Sequence, residues 1–248
     1  MKKLLVIGGL LVGLGLVGVL VTAFFLGSIV TAGVNRIGPR ITQTKVTLAS
    51  ASISPLSGTG TLSGLVVGNP QGWSEADLCS LGKVHLDVQP FSILGDHVII
   101  NEISIEAPEF NYETKIVASN VGDFLKNIEQ ITGGKAAPQA TTKSGQPIKF
   151  EVKKFRLQNG WVRVGVGPAA LKLPMPPVVL DDIGTAQGGI TPDQLVFAVM
   201  RSVTPSIIAA TTQAAGKLVP TAGAATAEGM KQLGAGIKGL FGGDKKKP

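Results

Sequence analysis

The sequence predicts a mainly β protein with a few helices (α+β): an antiparallel sheet, carried on an N-terminal transmembrane helix and followed by C-terminal helices. Three observations predict it. Leu4–Leu26 is an uncharged, mostly apolar run. Residues 46–115 alternate apolar and polar side chains at the period of two that marks half-buried strands. The period changes to three and four over Val121–Ile131 and again after Thr191.

Leu4–Leu26 exceeds the ~20 apolar residues that span a bilayer core as a helix. A cleavable signal peptide ending at Val30-Thr31-Ala32 is the competing reading. Signal cores are only ~7–15 residues long, which favours an uncleaved anchor over residues 1–35. Lys2 and Lys3 precede the run, so the positive-inside rule places them in the cytoplasm and the bulk of the chain across the membrane.

In the exported part, Val46–Ile53 and Thr59–Val67 read as strands around a turn at Pro55–Gly58. Lys83–Val88 and Val98–Ala107 alternate cleanly, with Val84, Leu86 and Val88 on one face and Ile103 and Ile105 on another strand's apolar face. Glu102, Ser104 and Glu106 form the wet side of the second strand. Pro108 breaks the ladder, and Phe110–Lys115 continues it as an edge segment. Val121, Phe124, Leu125, Ile128 and Ile131 define an amphipathic helix that covers the sheet, with Asn120 as its cap. These elements make a module over 36–132, followed by a Gly, Ala, Thr and Pro linker over 133–147.

A second β section follows over 148–190. Asn159-Gly160 predicts a two-residue hairpin pairing Leu157 with Val162 and Arg156 with Arg163. Phe155, Leu157, Val162 and Val164 then share the apolar face, and a bulge at Lys153 or Lys154 brings Val152 to the same side. Arg156 and Arg163 lie opposite each other, facing water, an anion or a lipid headgroup. Ala169–Leu173 and Val178–Ile183 add two strands around Pro174-Met175-Pro176-Pro177. Thr191-Pro192-Asp193-Gln194 is a capping box that starts a helix, and Pro205 kinks or ends it. In the Gly/Ala-rich basic tail of 191–248, Ile237, Leu240 and Phe241 fall on one side of a helical pattern with Lys231 and Lys238 on the other. Such a face lies in a membrane surface or packs on its own domain.

Composition narrows the function. The net charge of +7 sits at the ends, because residues 4–200 hold 14 basic and 14 acidic side chains. A neutral body without interleaved aromatics and bases is no nucleic-acid interface. Cys79 is the single cysteine and His85 and His97 are the two histidines, so no intramolecular disulfide and no cysteine zinc site can form, and no cofactor is implied. No nucleophile elbow, P-loop or dinucleotide fingerprint occurs, which argues against an enzyme.

The anchor, Arg36-Ile37-Gly38-Pro39-Arg40-Ile41-Thr42, Ser54–Leu62, Leu65–Pro70, Phe91–Leu94, Ile103–Phe110 and the Asn120–Ile128 helix together resemble the opening of AsmA-like proteins of bacterial envelopes. The resemblance covers roughly the first 130 residues. It implies a single-pass inner-membrane protein with its bulk in the periplasm, whose strands curl into a groove or half-barrel related to the chorein-type bridge-like lipid carriers. Phospholipid is then the expected partner, with Val84, Leu86, Val88, Ile103 and Ile105 lining the groove and Arg156 and Arg163 near headgroups. Ten strands at ~4.8 Å would give a groove only ~50 Å long, so a second copy or an envelope partner is needed to reach another membrane. The alternative is an envelope scaffold that oligomerises through its membrane segment or glycine-rich tail.

Overall fold

The computed structural model describes residues 18, 25–54, 56–132, 145, 147–167 and 170–218. Most of the apolar run, most of the linker, and the tail residues Lys231, Ile237, Lys238, Leu240 and Phe241 lie outside the described residues.

Ten strand segments share one mixed sheet: β1 (Val46–Ile53), β2 (Thr59–Gly68), β3 (Asp77–Ser80), β4 (Lys83–Val88), β5 (His97–Glu106), β6 (Glu109–Tyr112), β7 (Lys149–Gln158), β8 (Trp161–Val164), β9 (Leu171–Pro174) and β10 (Val178–Ile183). Register reduces them to six long strands. β4 pairs Leu62 with Val84, and β3 continues the same count with Val67 opposite Cys79. Val84 opposite Ile105 is continued by Cys79 opposite Phe110. Ile105 beside Leu157 is continued by Phe110 beside Val162, and Val178 opposite Leu157 by Leu173 opposite Val162. Thus β3–β4, β5–β6, β7–β8 and β9–β10 are each one strand with a kink.

The kinks line up. Gly64, Gly82, Ala107 and Asn159 all have left-handed backbone, with φ of 66°, 57°, 49° and 52°. The shared registers set these four side by side across neighbouring strands. Hydrogen bonds cross the row: Gly64 donates its N–H to the Gly82 carbonyl at 2.7 Å and Ala107 to the Gln158 carbonyl at 2.9 Å. The reason lies in the side-chain phase. Buried positions on either side of the kink are five residues apart, as in Cys79 and Val84, Phe110 and Ile105, or Val162 and Leu157. In an unbroken strand an odd separation would put them on opposite faces; the left-handed residue restores one common apolar face.

Four expectations are corrected here. Asn159-Gly160 does not close a hairpin: β7 pairs with β5 and β10, and β8 with β6 and β9. A type I′ turn needs positive φ at both central residues, and Asn159 alone has it. Leu157 and Val162 do share a face, but as neighbours along one kinked strand. The sheet is not purely antiparallel, because β5 runs parallel to β7 and β6 to β8. Parallel neighbours need a long crossover, and the helix Asn120–Thr132 with the linker after it provides one. β6 is internal between β3 and β8 rather than an edge. Val152 and Phe155 are both buried although three apart, but without the expected bulge: the count to β10 is unbroken from Leu180 opposite Phe155 to Ile183 opposite Val152, and the phase changes where Asp182 takes left-handed backbone, φ 56°.

Three helices frame the sheet: α1 over residues 25–42, α2 (Asn120–Thr132) and α3 (Pro192–Leu218). α1 runs back along the edge strand β1. Gly38 meets Val46, the Asn35 amide accepts the Leu48 N–H at 2.6 Å and donates to the Leu48 carbonyl at 3.1 Å, and Gly27 lies against the Ala51 carbonyl. One side chain thereby occupies edge hydrogen-bonding groups that would otherwise recruit another strand. Gly27 has to be glycine, since a Cβ there would come within 2.2 Å of the Ala51 oxygen.

The cap of α2 is Ser119, whose hydroxyl accepts the Gly122 N–H at 3.1 Å, not Asn120. Asn120 is fully buried and donates to Asn69 and to the Asn111 carbonyl. α3 starts at Pro192, with the Gln194 side chain accepting the Thr191 N–H at 3.0 Å as the capping box requires. It does not stop at Pro205. Arg201 and Pro205 both lie on the exposed side of the helix, where water can satisfy the carbonyl that proline leaves unpaired. Val203, Ile207 and Ala210 hold the other side in the core. α2 packs on α3, and α3 on β7–β10; with the sheet they enclose one hydrophobic cluster.

Candidate functional site

The apolar face of the sheet is built in rows across the strands. One row is Leu62, Val84, Ile105, Leu157 and Val178; the next is Gly60, Leu86, Ile103, Phe155 and Leu180. Val88 sits beside Ile100 and Val152 in a third. All five expected groove residues therefore lie on one face. They do not line an open groove: Val84, Val88 and Ile105 are at most 5% exposed and belong to the closed core. Leu86 and Ile103 are half-buried, on strands flanking the part that α3 covers.

α3 is itself apolar around most of its circumference. Leu195, Val196, Phe197, Val199 and Ile208 are partly buried beside its core-facing residues. Over Pro192–Thr212 its mean hydropathy is 1.4, and it is the one described helix long and apolar enough to cross a membrane by length and composition. An apolar sheet face is thus covered by a helix that is not strongly amphipathic.

The opposite face is polar and its charges are matched. Arg156 and Arg163 are not partners across a hairpin. Arg156 donates to Glu102 at 2.8 Å and Arg163 to Glu109, each reaching a glutamate two positions back on the adjacent parallel strand. Lys172 also binds Glu109, at 3.0 Å, and lies over the Trp161 ring. Burial pushes the Glu109 carboxyl up, but hydrogen bonds and charge from Lys172 and Arg163 outweigh it and hold the group below the ordinary range. Both arginines are thus paired with glutamates, while the Nε of Arg156 is buried without a partner. A cleft of about 350 Å³ opens on the kink line between Gln158–Trp161 and Pro174–Pro177.

The chain matches no protein-family model, no curated protein and no solved structure.

One polar cluster escaped the sequence. Glu113 is buried and accepts from Asn69 at 2.8 Å, from the Ser74 N–H at 3.2 Å and from the Ser74 hydroxyl. With Asn120 it ties the loop after β2 to β6 and α2. Trp73 in that loop donates to Asp123 at 3.0 Å. The partners are 39 and 50 residues apart in sequence, so no local pattern signals them. The Cys79 thiol is buried and pushed up to about 12 by desolvation, with help from Asp77, which makes it inert at neutral pH. Tyr112 is likewise raised by burial, against a hydrogen bond with Ser119. Among the described residues no three His, Cys, Asp or Glu side chains are grouped to hold a metal.

Proposed function

We propose that this chain is a membrane-anchored, non-catalytic envelope protein that binds or helps transfer lipids on the apolar face of its sheet, with α3 as a displaceable cover. One observation carries the reading: the rows of apolar side chains keep to one face straight through the kink, and what lies over them at β7–β10 is an apolar helix rather than an amphipathic one. Removing such a helix from the sheet exposes little polar surface, and an acyl chain can replace its contacts at ~0.8 kcal/mol per buried methylene. Leu86 and Ile103 are where a chain would first enter. The resemblance to AsmA-like proteins and the Leu4–Leu26 run point the same way, to an inner-membrane anchor with the sheet in the periplasm.

The test is a photoreactive residue at Leu86 or Ile103 in the full chain, irradiated in cells and read by mass spectrometry. Phospholipid adducts at both positions, and none from outward-facing Ser104, are expected. The second reading, an envelope scaffold, is favoured by the closed packing of Val84, Val88 and Ile105. Adducts to protein alone would decide for it.

A further inference from the structure

The two ends of the sheet differ in chemistry. At one end lie the β1–β2 turn at residues 54–58, the β4–β5 loop at 89–96 and the β10–α3 loop at 184–191. They are neighbours: Val88 donates its N–H to the Gly58 carbonyl at 2.9 Å, a Cβ on Gly58 would sit 3.3 Å from the Pro90 ring, and Gly189 packs on Lys149 and His97. Asp96, exposed at the foot of β5, is the one charged residue in these three loops. The other end carries Glu75, Asp77, Glu113 and Lys115 in or beside its loops.

The first end displays large apolar side chains, as the other does at Ile116 and Val117. Leu56 is 61% and Phe91 66% exposed. Phe91 holds this position in left-handed backbone, φ 68°, a conformation that side chains other than glycine, asparagine and aspartate rarely adopt. α1 fixes what stands in front of this end. It runs antiparallel to β1, with Gly38 at Val46 and Gly27 at Ala51, so its N-terminus reaches the sheet beside the β1–β2 turn. The Leu4–Leu26 run therefore joins the fold at the end where Leu56 and Phe91 project. Ile29 of α1, 64% exposed, adds to the same side.

We propose that this end of the sheet is a bilayer-docking surface, with Leu56 and Phe91 seated in the interface of the membrane that holds Leu4–Leu26. The proposal rests on the reading of that run as an anchor. With Asp96 as their one charge, these loops lose little charge solvation on entering the headgroup region, and an apolar tip there is favoured. Lys149, exposed just behind the loops, lies at the height of lipid phosphates. Docked this way, the half-buried pair Leu86 and Ile103 stands only a few residues above the bilayer, where a lipid would leave it.

The experiment uses the full chain in vesicles of phosphatidylethanolamine and phosphatidylglycerol, with one cysteine introduced at a time and labelled with an environment-sensitive fluorophore. Cys79 is buried and stays unlabelled. The positions are Leu56→Cys, Phe91→Cys, Ile116→Cys at the far end, and Leu11→Cys within the run. Lipids brominated along the acyl chain should remove most of the fluorescence at 56, 91 and 11 and leave 116 unchanged. Quenching at 11 without 56 and 91 overturns the docking and keeps the anchor. No quenching at any position overturns both, and quenching at 116 equal to that at 56 overturns the orientation.

Discussion

Ala107 and Asn159 carry the kink at positions where glycine would cost nothing. A non-glycine residue in left-handed backbone costs of order 1 kcal/mol, and a β-branched one more. Ala107→Gly is expected to stabilise the protein by about 0.5–1 kcal/mol and Ala107→Val to destabilise it by more than that, measured as shifts in urea midpoint. Equal effects of the two would mean that the row of positive φ is not what bends the strand. Asn35 acts on the edge of β1. Asn35→Ala leaves the Leu48 N–H and carbonyl without their partner and should cost about 1–3 kcal/mol. Cys79 sets an alkaline limit. Its folded value of about 12 lies above its ordinary 9.0, so the unfolded chain loses the proton first. Stability is whole below pH 9 and falls as pH rises toward 12, with Tyr112 acting in the same direction. Cys79→Ala should flatten that fall in a series of thermal melts.

α3 is the element on which the functional reading turns, and Pro205 is its weak point. Proline in a helix interior costs up to ~3 kcal/mol by a lost hydrogen bond and a clash. Because Pro205 is exposed, Pro205→Ala can regain much of this without disturbing Val203 and Ile207 in the core. The variant should melt at higher temperature and, if α3 is a cover that lifts, give fewer lipid adducts at Leu86 and Ile103. A more stable helix with unchanged adducts would show that α3 does not gate the face. How α3 begins was legible in the sequence, because Thr191, Pro192 and Gln194 act within one turn. Most strands were legible as well, because alternation is local, but the four-residue β3 was too short to show a period, and the change of phase at Lys153 came from a left-handed Asp182 and not from a bulge. What the strands pair with was not legible. Asn159-Gly160 signals a turn by its residue types, yet the backbone of Gly160 decides between hairpin and kink. The parallel partnership of β5–β6 with β7–β8 depends on a crossover that runs from residue 113 to 148. Of the expected site, the shared face of Val84, Leu86, Val88, Ile103 and Ile105 could be read from period two. Their burial could not, because it is imposed by helices far along the chain.

At the scale of the whole molecule, the ten segments being six strands changes the reach of any lipid path. Six strands at ~4.8 Å make a sheet only ~29 Å across, well below the ~50 Å that ten separate strands would give. Along the strands the limit is similar: His97–Tyr112 is one kinked strand, and at ~3.3 Å per residue it cannot exceed ~50 Å. On the proposed function, a lipid that enters at Leu86 and Ile103 stays within ~50 Å of the bilayer it left, whichever way it travels on the apolar face. One copy would then hand a lipid to a partner or to a closely apposed membrane and would not span a wider gap. Reconstituted in donor vesicles carrying a fluorescent phospholipid, the full chain should transfer it to acceptors held by tethers shorter than this reach and not to acceptors held well beyond it. Leu86→Asp should abolish transfer while leaving the melting temperature nearly unchanged, since the side chain is only half-buried, whereas Ile105→Asp should unfold the core. Transfer that ignores tether length would point to a shuttling or oligomeric path, and no transfer at any length, with Leu86→Asp without effect, would leave the scaffold as the better account.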